Sequence, residues 1–217
     1  MLMLSIAACL LGVFAVFVIG KLLGRYKYFS YENQRKFVHI AVGTFAAFWP
    51  WLISWQAIKF VGFLLLIGAV VNRALKIFDF HSHLGRITYG DIFFALAIIA
   101  CSLITTNKLF YALAILHMSL ADGLAATVGS KYMKVWKYKL LNIKTIIGSM
   151  TFWYVSVCIL ATGLLFASNE IEFGQYFYLV LLLPPILTLL EAVSNYGADN
   201  LIVPVTALTV LNLVTFY

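Results

Sequence analysis

Long apolar runs separated by short polar segments follow one another along almost the entire chain. A helix that crosses the hydrocarbon core of a bilayer needs about 20 mainly apolar residues, and most of the runs reach that length. The connections between the runs are too short to hold a soluble domain. The pattern therefore predicts a single all-α integral membrane domain over residues 1–217. Its seven or eight spanning helices are expected near 2–20, 37–55, 57–75, 91–106, 108–128, 148–168, 175–192 and 201–216.

Basic residues are concentrated in alternate connections of this pattern. The net charge is +7, and of the 15 Lys and Arg residues only Lys59 and Lys108 fall on the other side of the predicted helices. Cytoplasmic loops of membrane proteins carry the excess of Lys and Arg. The asymmetry therefore predicts a multi-pass cell-membrane protein whose N-terminus lies outside. Because topology accounts for the charge distribution, the positive charge does not indicate a nucleic-acid partner.

Acidic residues gather on the same predicted face as the basic clusters. Of the eight Asp and Glu residues, only Glu170 and Glu172 fall outside in this topology. Orientation does not require such a bias, since acidic residues contribute little to it. The shared face therefore predicts a site at the cytoplasmic interface that handles a charged, metal-bound substrate.

Asp122 lies at the inner end of the fifth apolar run, among small residues. An ionised carboxylate at the centre of a spanning helix costs roughly 2.5–3.5 kcal/mol, so it needs a charged partner, a metal ion or water. Gly123 and Gly129 leave room for another helix or a ligand to approach the backbone. The alternative is an aspartate that lies in the headgroup layer and has no further role.

A second segment rich in polar oxygens connects the last two predicted helices. It contains Glu191, Asp199 and Asn200 and no basic residue. Hard oxygen ligands of this kind suit magnesium, whose coordination is normally completed by substrate phosphates. The alternative is a solvated turn in which Asp199 caps the following helix.

Arg35, Lys36 and His39 lie where the second helix begins. Helical spacing places Arg35 and His39 on one face, with Lys36 within reach of His39. Such a cluster can bind phosphate oxygens, and an arginine can do so in bidentate fashion. The alternative is a pair of basic side chains that extend to the interface beside an interfacial histidine.

Lys144, Thr145, Gly148 and Ser149 lie where the sixth helix begins. Backbone N–H groups at a helix start, together with a lysine, can hold a phosphate group. The chain has no Gly-x-x-x-x-Gly-Lys-Ser/Thr run, which excludes a P-loop. The lysine-rich loop before this element fits electrostatic attachment to anionic lipids equally well.

Arg86, Gly90 and Asp91 lie where a polar connection meets the fourth helix. A carboxylate at this place can cap the helix and favours its positive end. Capping by Asp91 is therefore the simpler interpretation, and the three residues are kept only as uncertain site candidates.

Taken in order, these elements resemble the dolichol kinase and phytol kinase family of CTP-dependent polyprenol kinases. That family is related to CTP-type diacylglycerol kinases and, more distantly, to phosphatidate cytidylyltransferases. The site-bearing region runs from about 32 to 204 and carries five motifs. They are basic-basic-x-x-His (Arg35 to His39), Tyr-Gly-Asp (Tyr89 to Asp91), Ala-Asp-Gly-x-Ala with a later glycine (Ala121 to Gly129), Lys-Thr-x-x-Gly-Ser (Lys144 to Ser149) and Glu-x-x-Ser-x-x-Gly-x-Asp-Asn-x-x-x-Pro (Glu191 to Pro204).

The resemblance implies a membrane enzyme that transfers the γ-phosphate of CTP, with a divalent metal, to an isoprenoid or lipid alcohol of the phytol, polyprenol or dolichol type. On this hypothesis Asp122, Glu191 and Asp199 hold magnesium, and Asp122 or the competing base His39 accepts the proton of the lipid hydroxyl. Lys36 supplies positive charge during catalysis. The nucleotide and its phosphates are expected to contact Arg35, Lys36, Gly123, Gly129, Lys144, Thr145, Gly148, Ser149 and Asn200.

Two other functions fit parts of the pattern. A phosphatidate cytidylyltransferase would use CTP to make a CDP-lipid, but the chain lacks the His-Gly-Gly-x-x-Asp-x-x-Asp signature of the bacterial enzymes. An ion-coupled transporter would use Asp122 and His117 as an intramembrane relay, although their spacing suits one helix face poorly. The expected partners are lipid alcohol, nucleotide and membrane lipids, and the sequence leaves the oligomeric state open.

Overall fold

The computed structural model describes residues 2–26, 31–75, 88–132, 139–140, 144–167 and 171–215. Over these residues the backbone is helical, apart from short turns and one antiparallel pair of two-residue strands, β1 (Lys139–Leu140) and β2 (Lys144–Thr145). The predicted all-α class is therefore confirmed. The strand pair matters because it carries Lys144 to the start of a helix.

Each of the eight predicted helices is present, and most of their ends lie within a few residues of the prediction. The fifth is one continuous helix made of two α-helical parts and a π-helical turn, and the sixth ends in a 3-10 turn. The helices are α1 (Leu2–Leu23), α2 (Tyr31–Ala47), α3 (Trp49–Leu52), α4 (Trp55–Leu75), α5 (Gly90–Ile104), α6 (Lys108–Leu116) with its π-turn (His117–Ala121) and α7 (Asp122–Tyr132), α8 (Ile146–Gly163) with its 3-10 turn (Leu164–Ala167), α9 (Phe173–Val193) and α10 (Asp199–Thr215).

The second helix differs most from its predicted range of 37–55. It begins at Tyr31, because the polar residues ahead of the apolar run continue the helix, and it ends at Ala47. Pro50 lies in the first turn of the short helix that follows. Proline has no N–H to donate and is well suited to the first turn of a helix, so Pro50 favours the start of a new helix at this point.

The helix from Lys108 to Tyr132 is the central element of the fold. In its most apolar window 67% of the residues are buried, compared with 17% for both α1 and α4. Its π-turn ends at Ala121, directly before Asp122. Single π-turns inside α-helices are often found at functional sites, and here the turn marks the place where the aspartate enters the helix.

Small residues allow the neighbouring helices to approach the central helix closely, as is common in membrane bundles. A Cβ atom on Gly43 of α2 would lie 2.2 Å from the Cβ of Ser119, and one on Gly163 of α8 would lie 2.2 Å from the Leu113 side chain. These contacts fix the positions of α2 and α8 against the helix that carries Asp122.

Five helical segments in the described part of the chain are long and apolar enough to cross a membrane, and two more apolar helices are shorter. The protein is therefore a polytopic helical membrane protein. The predicted total of seven or eight spans and the outside position of the N-terminus stay predictions. The five segments are Met3–Leu23, Trp55–Leu75, Lys108–Tyr132, Ile146–Ala167 and Phe173–Val193, and the shorter ones are Gly90–Ile104 and Asp199–Val214.

Candidate active site

Three carboxylates that are far apart in the sequence meet at one point of the fold. Asp122 begins α7, Glu191 lies near the end of α9, and Asp199 begins α10. One carboxylate oxygen from each lies within 4.8 Å of the others. Glu191 and Asp199 are 3% and 8% exposed, so most of this negative charge is removed from solvent.

Lys144 points into the same group and completes what we call the carboxylate–lysine cluster (Asp122, Lys144, Glu191 and Asp199). Its Nζ donates to Glu191 Oε1 at 2.5 Å and to Asp199 Oδ2 at 2.7 Å, and lies 3.8 Å from Asp122 Oδ1. Burial lowers the pKa of Lys144, but the three carboxylates outweigh burial and raise this pKa well above its ordinary value. The lysine is therefore charged at every physiological pH.

The cluster holds three acidic side chains and one basic side chain. Within the described residues, Glu191 Oε2 and Asn200 Oδ1 are buried and have no hydrogen-bond partner. Buried polar atoms of this kind normally have a partner, an ion or an ordered water. Carboxylate and amide oxygens are the ligands that magnesium prefers. The donor set therefore fits a divalent cation, as the sequence predicts for Asp122, Glu191 and Asp199.

The sequence did not reveal what neutralises the segment from Glu191 to Asp199. That segment contains no basic residue, and this absence favoured a bound cation. In the fold, Lys144 supplies a positive charge from a distant part of the chain. The carboxylates are therefore partly balanced by a side chain from outside the segment, although one lysine does not match three acidic groups.

His39 connects the cluster with α2. Its Nε2 lies 2.9 Å from the carbonyl oxygen of Met118 in the π-turn and 3.6 Å from Asp122 Oδ2. A carbonyl can only accept, so the contact requires the proton on Nε2. In the neutral ring the lone pair is then on Nδ1, away from Asp122. This geometry makes His39 a donor beside Asp122.

The two basic residues of α2 face different surroundings. Lys36 is buried and donates to the carbonyl of Ala126 at 2.6 Å and to Ser130 Oγ at 3.2 Å. Arg35 forms a bidentate pair with Glu32, at 3.2 and 3.0 Å. Lys36 therefore ties α2 to α7 in this structure, and the predicted phosphate contacts of both residues stay predictions.

The start of α8 packs against α7 through a pair of glycines. Thr145 caps α8, its hydroxyl accepting from the N–H of Gly148 at 3.1 Å. A Cβ atom on Gly129 would lie 2.6 Å from Thr145 Oγ1 and 3.2 Å from Gly148 Cα. This close approach brings Lys144 to Asp122. Ser149 Oγ is buried and has no hydrogen-bond partner among the described residues. Gly123 of α7 packs against Ile40 of α2.

The start of α5 is joined to the turn between α9 and α10. Asn200 Nδ2 donates to the carbonyl of Gly90 at 2.8 Å, and the N–H of Tyr89 donates to the carbonyl of Tyr196 at 2.8 Å. Gly197 has a φ of +87°, which favours glycine, and a Cβ there would lie 2.7 Å from Gly90. The turn that carries Asp199 is thus locked to α5.

Asp91 lies in the first turn of α5 but does not cap it, because the cap position is Tyr89. Its carboxylate instead accepts from Arg73, with Nε 3.1 Å from both Oδ atoms and a second guanidinium nitrogen 2.5 Å from Oδ1. Capping as the role of Asp91 is therefore wrong. Arg73 was not a candidate from the sequence, and no local signal marks it. Arg86 lies outside the described residues.

The chain is similar to a curated phytol kinase of Synechocystis sp. The two are 29% identical over 210 residues, an alignment that covers 92% of this chain and 86% of the relative. No protein-family model matches the chain, and no solved structure matches it. The alignment extends over nearly the whole chain. The chain is therefore similar to this phytol kinase along nearly its whole length.

Proposed function

We propose that this protein is a membrane lipid-alcohol kinase that transfers the γ-phosphate of CTP, with magnesium, to an isoprenoid or other long-chain alcohol at the cytoplasmic interface. The observation that carries the proposal is the buried carboxylate–lysine cluster in a chain related to a phytol kinase. Phosphoryl transfer depends mainly on positioning and charge neutralisation, and this cluster offers both signs of charge at one point.

Asp122, Glu191 and Asp199 would hold the magnesium ion. Asn200 directly follows Asp199, and its Oδ1 would assist in binding the ion. A bound magnesium ion neutralises charge on the phosphate oxygens of the donor. The proposal is supported by the meeting of these oxygens, of which two come from α9 and α10 and the third from Asp122, directly after the π-turn.

Lys144 supplies the positive charge that the transferred phosphoryl group needs. Its ammonium already lies among the carboxylates at 2.5 to 3.8 Å. Because its pKa is raised, it stays protonated while it donates to phosphate oxygens. Arg35 is the second candidate for this role, since it lies near enough to Asp122 and Asp199 for their charges to act on it.

Asp122 is the best candidate for accepting the proton of the lipid hydroxyl. Its side chain is 18% exposed, against 3% for Glu191 and 10% for Asp199, so a substrate can reach it most easily. His39 lies beside it, with Nε2 3.6 Å from Asp122 Oδ2. As the competing base, His39 would have to accept through Nδ1, because its Nε2 proton is directed to the Met118 carbonyl.

The test is a transfer assay on purified protein in lipid nanodiscs, with CTP or ATP labelled in the α- or γ-phosphate. The alcohols are phytol, a polyprenol and diacylglycerol, and phosphatidate is included as the cytidylyltransferase substrate. We expect label from γ-labelled CTP, and none from α-labelled CTP, on an alcohol. Transfer from α-labelled CTP to phosphatidate would contradict the proposal, and so would the absence of any transfer by protein that is folded and binds CTP.

A further inference from the structure

A cavity of about 330 Å³ lies between α1, α2, α4 and α5, beside the carboxylate–lysine cluster. The residues around most of it are apolar and come from all four helices. They include Val13 and Phe17 of α1, Val42 of α2, Leu65 and Gly68 of α4, and Phe94 of α5.

The polar residues of the cavity lie at one end. Arg35 is in the second turn of α2, Asp91 is in the first turn of α5, and Asn72 is in the last turn of α4. The apolar residues follow further along α2 and α5 and earlier in α4. The cavity is therefore amphipathic along its length, with a polar end near the helix termini and an apolar interior.

His39 belongs both to the cavity and to the surroundings of the cluster. It lines the cavity, its Nε2 is 3.6 Å from Asp122 Oδ2, and its ring contacts the ring of Phe94 edge-on with 5.3 Å between centroids. A molecule whose hydroxyl lies beside His39 would reach Asp122 on one side and the apolar interior on the other.

We infer that this cavity binds the part of the hydrocarbon chain nearest the hydroxyl of the alcohol acceptor, an inference that rests on the proposed kinase function. The rest of a longer chain leaves between α1 and α4, whose surfaces are mostly exposed. The apolar walls offer no partners for the charged oxygens of a triphosphate, so the nucleotide is not the occupant.

Gly68 offers a substitution that fills the cavity without disturbing the fold. A Cβ atom built there has no neighbour within 4 Å among the described residues, so a larger side chain enters open space. Gly174, near the start of α9, is equally open and does not line the cavity, which makes Gly174→Leu a matched control. Each change replaces glycine by a better helix former. Gly68→Ala adds a smaller side chain at the same position.

The kinetic test compares phytol with a five-carbon prenol in wild type, Gly68→Leu and Gly174→Leu. We expect Gly68→Leu to raise the KM for phytol about tenfold or more, the usual effect of misfitting groups in an apolar pocket. The KM for CTP should stay the same, the five-carbon prenol should show a smaller increase in KM because less of its chain meets the cavity, and Gly68→Ala should lie between wild type and Gly68→Leu. Equal KM values for phytol in wild type and Gly68→Leu, or equal increases in both leucine variants, would overturn the inference.

A binding test separates this inference from the kinase proposal. A phytol analogue with a photoreactive diazirine a few carbons from the hydroxyl is irradiated with the protein, and the labelled peptides are identified by mass spectrometry. Labelling of α4 and α5 peptides that Gly68→Leu suppresses and Gly174→Leu does not would support the cavity even if no phosphoryl transfer occurs. Labelling confined to other helices would overturn it even if the enzyme is active.

Discussion

The carboxylate–lysine cluster and the Arg73–Asp91 pair both hold charge inside the helical bundle, but they balance it differently. Arg73 and Asp91 carry one charge each, and the guanidinium meets both carboxylate oxygens. The cluster sets one lysine against three carboxylates and leaves Glu191 Oε2 without a partner among the described residues. A matched pair has no need of a ligand. The unmatched group is the one for which we propose a bound cation and a phosphate.

The largest effect is expected at the proposed base. Asp122→Asn keeps the size of the side chain but cannot accept a proton, and it removes one charge from the proposed metal site. Because general bases contribute up to about 10⁴-fold, we expect CTP-dependent phosphorylation to fall by roughly 10³-fold or more. The rate is measured on protein whose insertion and unfolding temperature match the wild type. An Asp122→Asn protein with full activity would contradict the assignment.

The next effect concerns the one positive charge of the cluster. Lys144→Met should lower the turnover by about 10²- to 10³-fold, the usual cost of removing one group that stabilises transition-state charge. Lys144→Arg is the matched control for charge and should retain more activity than Lys144→Met. Similar activity of Lys144→Met and wild type would show that the lysine only balances buried carboxylates.

The same lysine gives a prediction about stability and pH. Its folded pKa is raised above the ordinary 10.5, so its stabilising contribution is fully present below that value and is lost as the pH rises through the folded pKa. Wild type should therefore keep a higher unfolding temperature than Lys144→Met up to about pH 10. It is measured in detergent by intrinsic fluorescence, and a difference that disappears near neutral pH would contradict the ion pairs.

The smallest effect on activity is expected at the matched pair. Arg73→Met or Asp91→Asn should destabilise the protein by about 1–3 kcal/mol, the usual range for a charged hydrogen bond, because each leaves the other charge unbalanced. Activity per folded molecule should fall less than about tenfold. The double variant Arg73→Met/Asp91→Leu should recover part of the stability. A loss of activity as large as that of Asp122→Asn would contradict the distinction between the Arg73–Asp91 pair and the carboxylate–lysine cluster.

Much of the fold could be predicted from the sequence, because the apolar runs are long and their length is set by the bilayer. The break between α2 and α3 was missed, although Pro50 was a local signal for it. The π-turn before Asp122 could not be predicted, since it depends on how the central helix packs.

The candidate site was predicted in composition but not in arrangement. Asp122, Glu191 and Asp199 stood out because carboxylates are rare in an apolar chain, and the fold brings them together. The partnership of Lys144 with them, and of Arg73 with Asp91, joins residues that are far apart in sequence. Only tertiary packing, such as the contact of Gly129 with Gly148, creates those pairs, so no local pattern could reveal them.

The most direct test of the central claim is the binding of Mn²⁺, as a spectroscopic substitute for magnesium, followed by electron paramagnetic resonance in the presence of CTP. We predict one bound ion per wild-type chain, affinity at least about tenfold weaker in Asp199→Asn, and unchanged affinity in Asp91→Asn, the carboxylate of the matched pair. Equal affinity in wild type and Asp199→Asn would contradict the claim that the carboxylate–lysine cluster is the metal site of the enzyme.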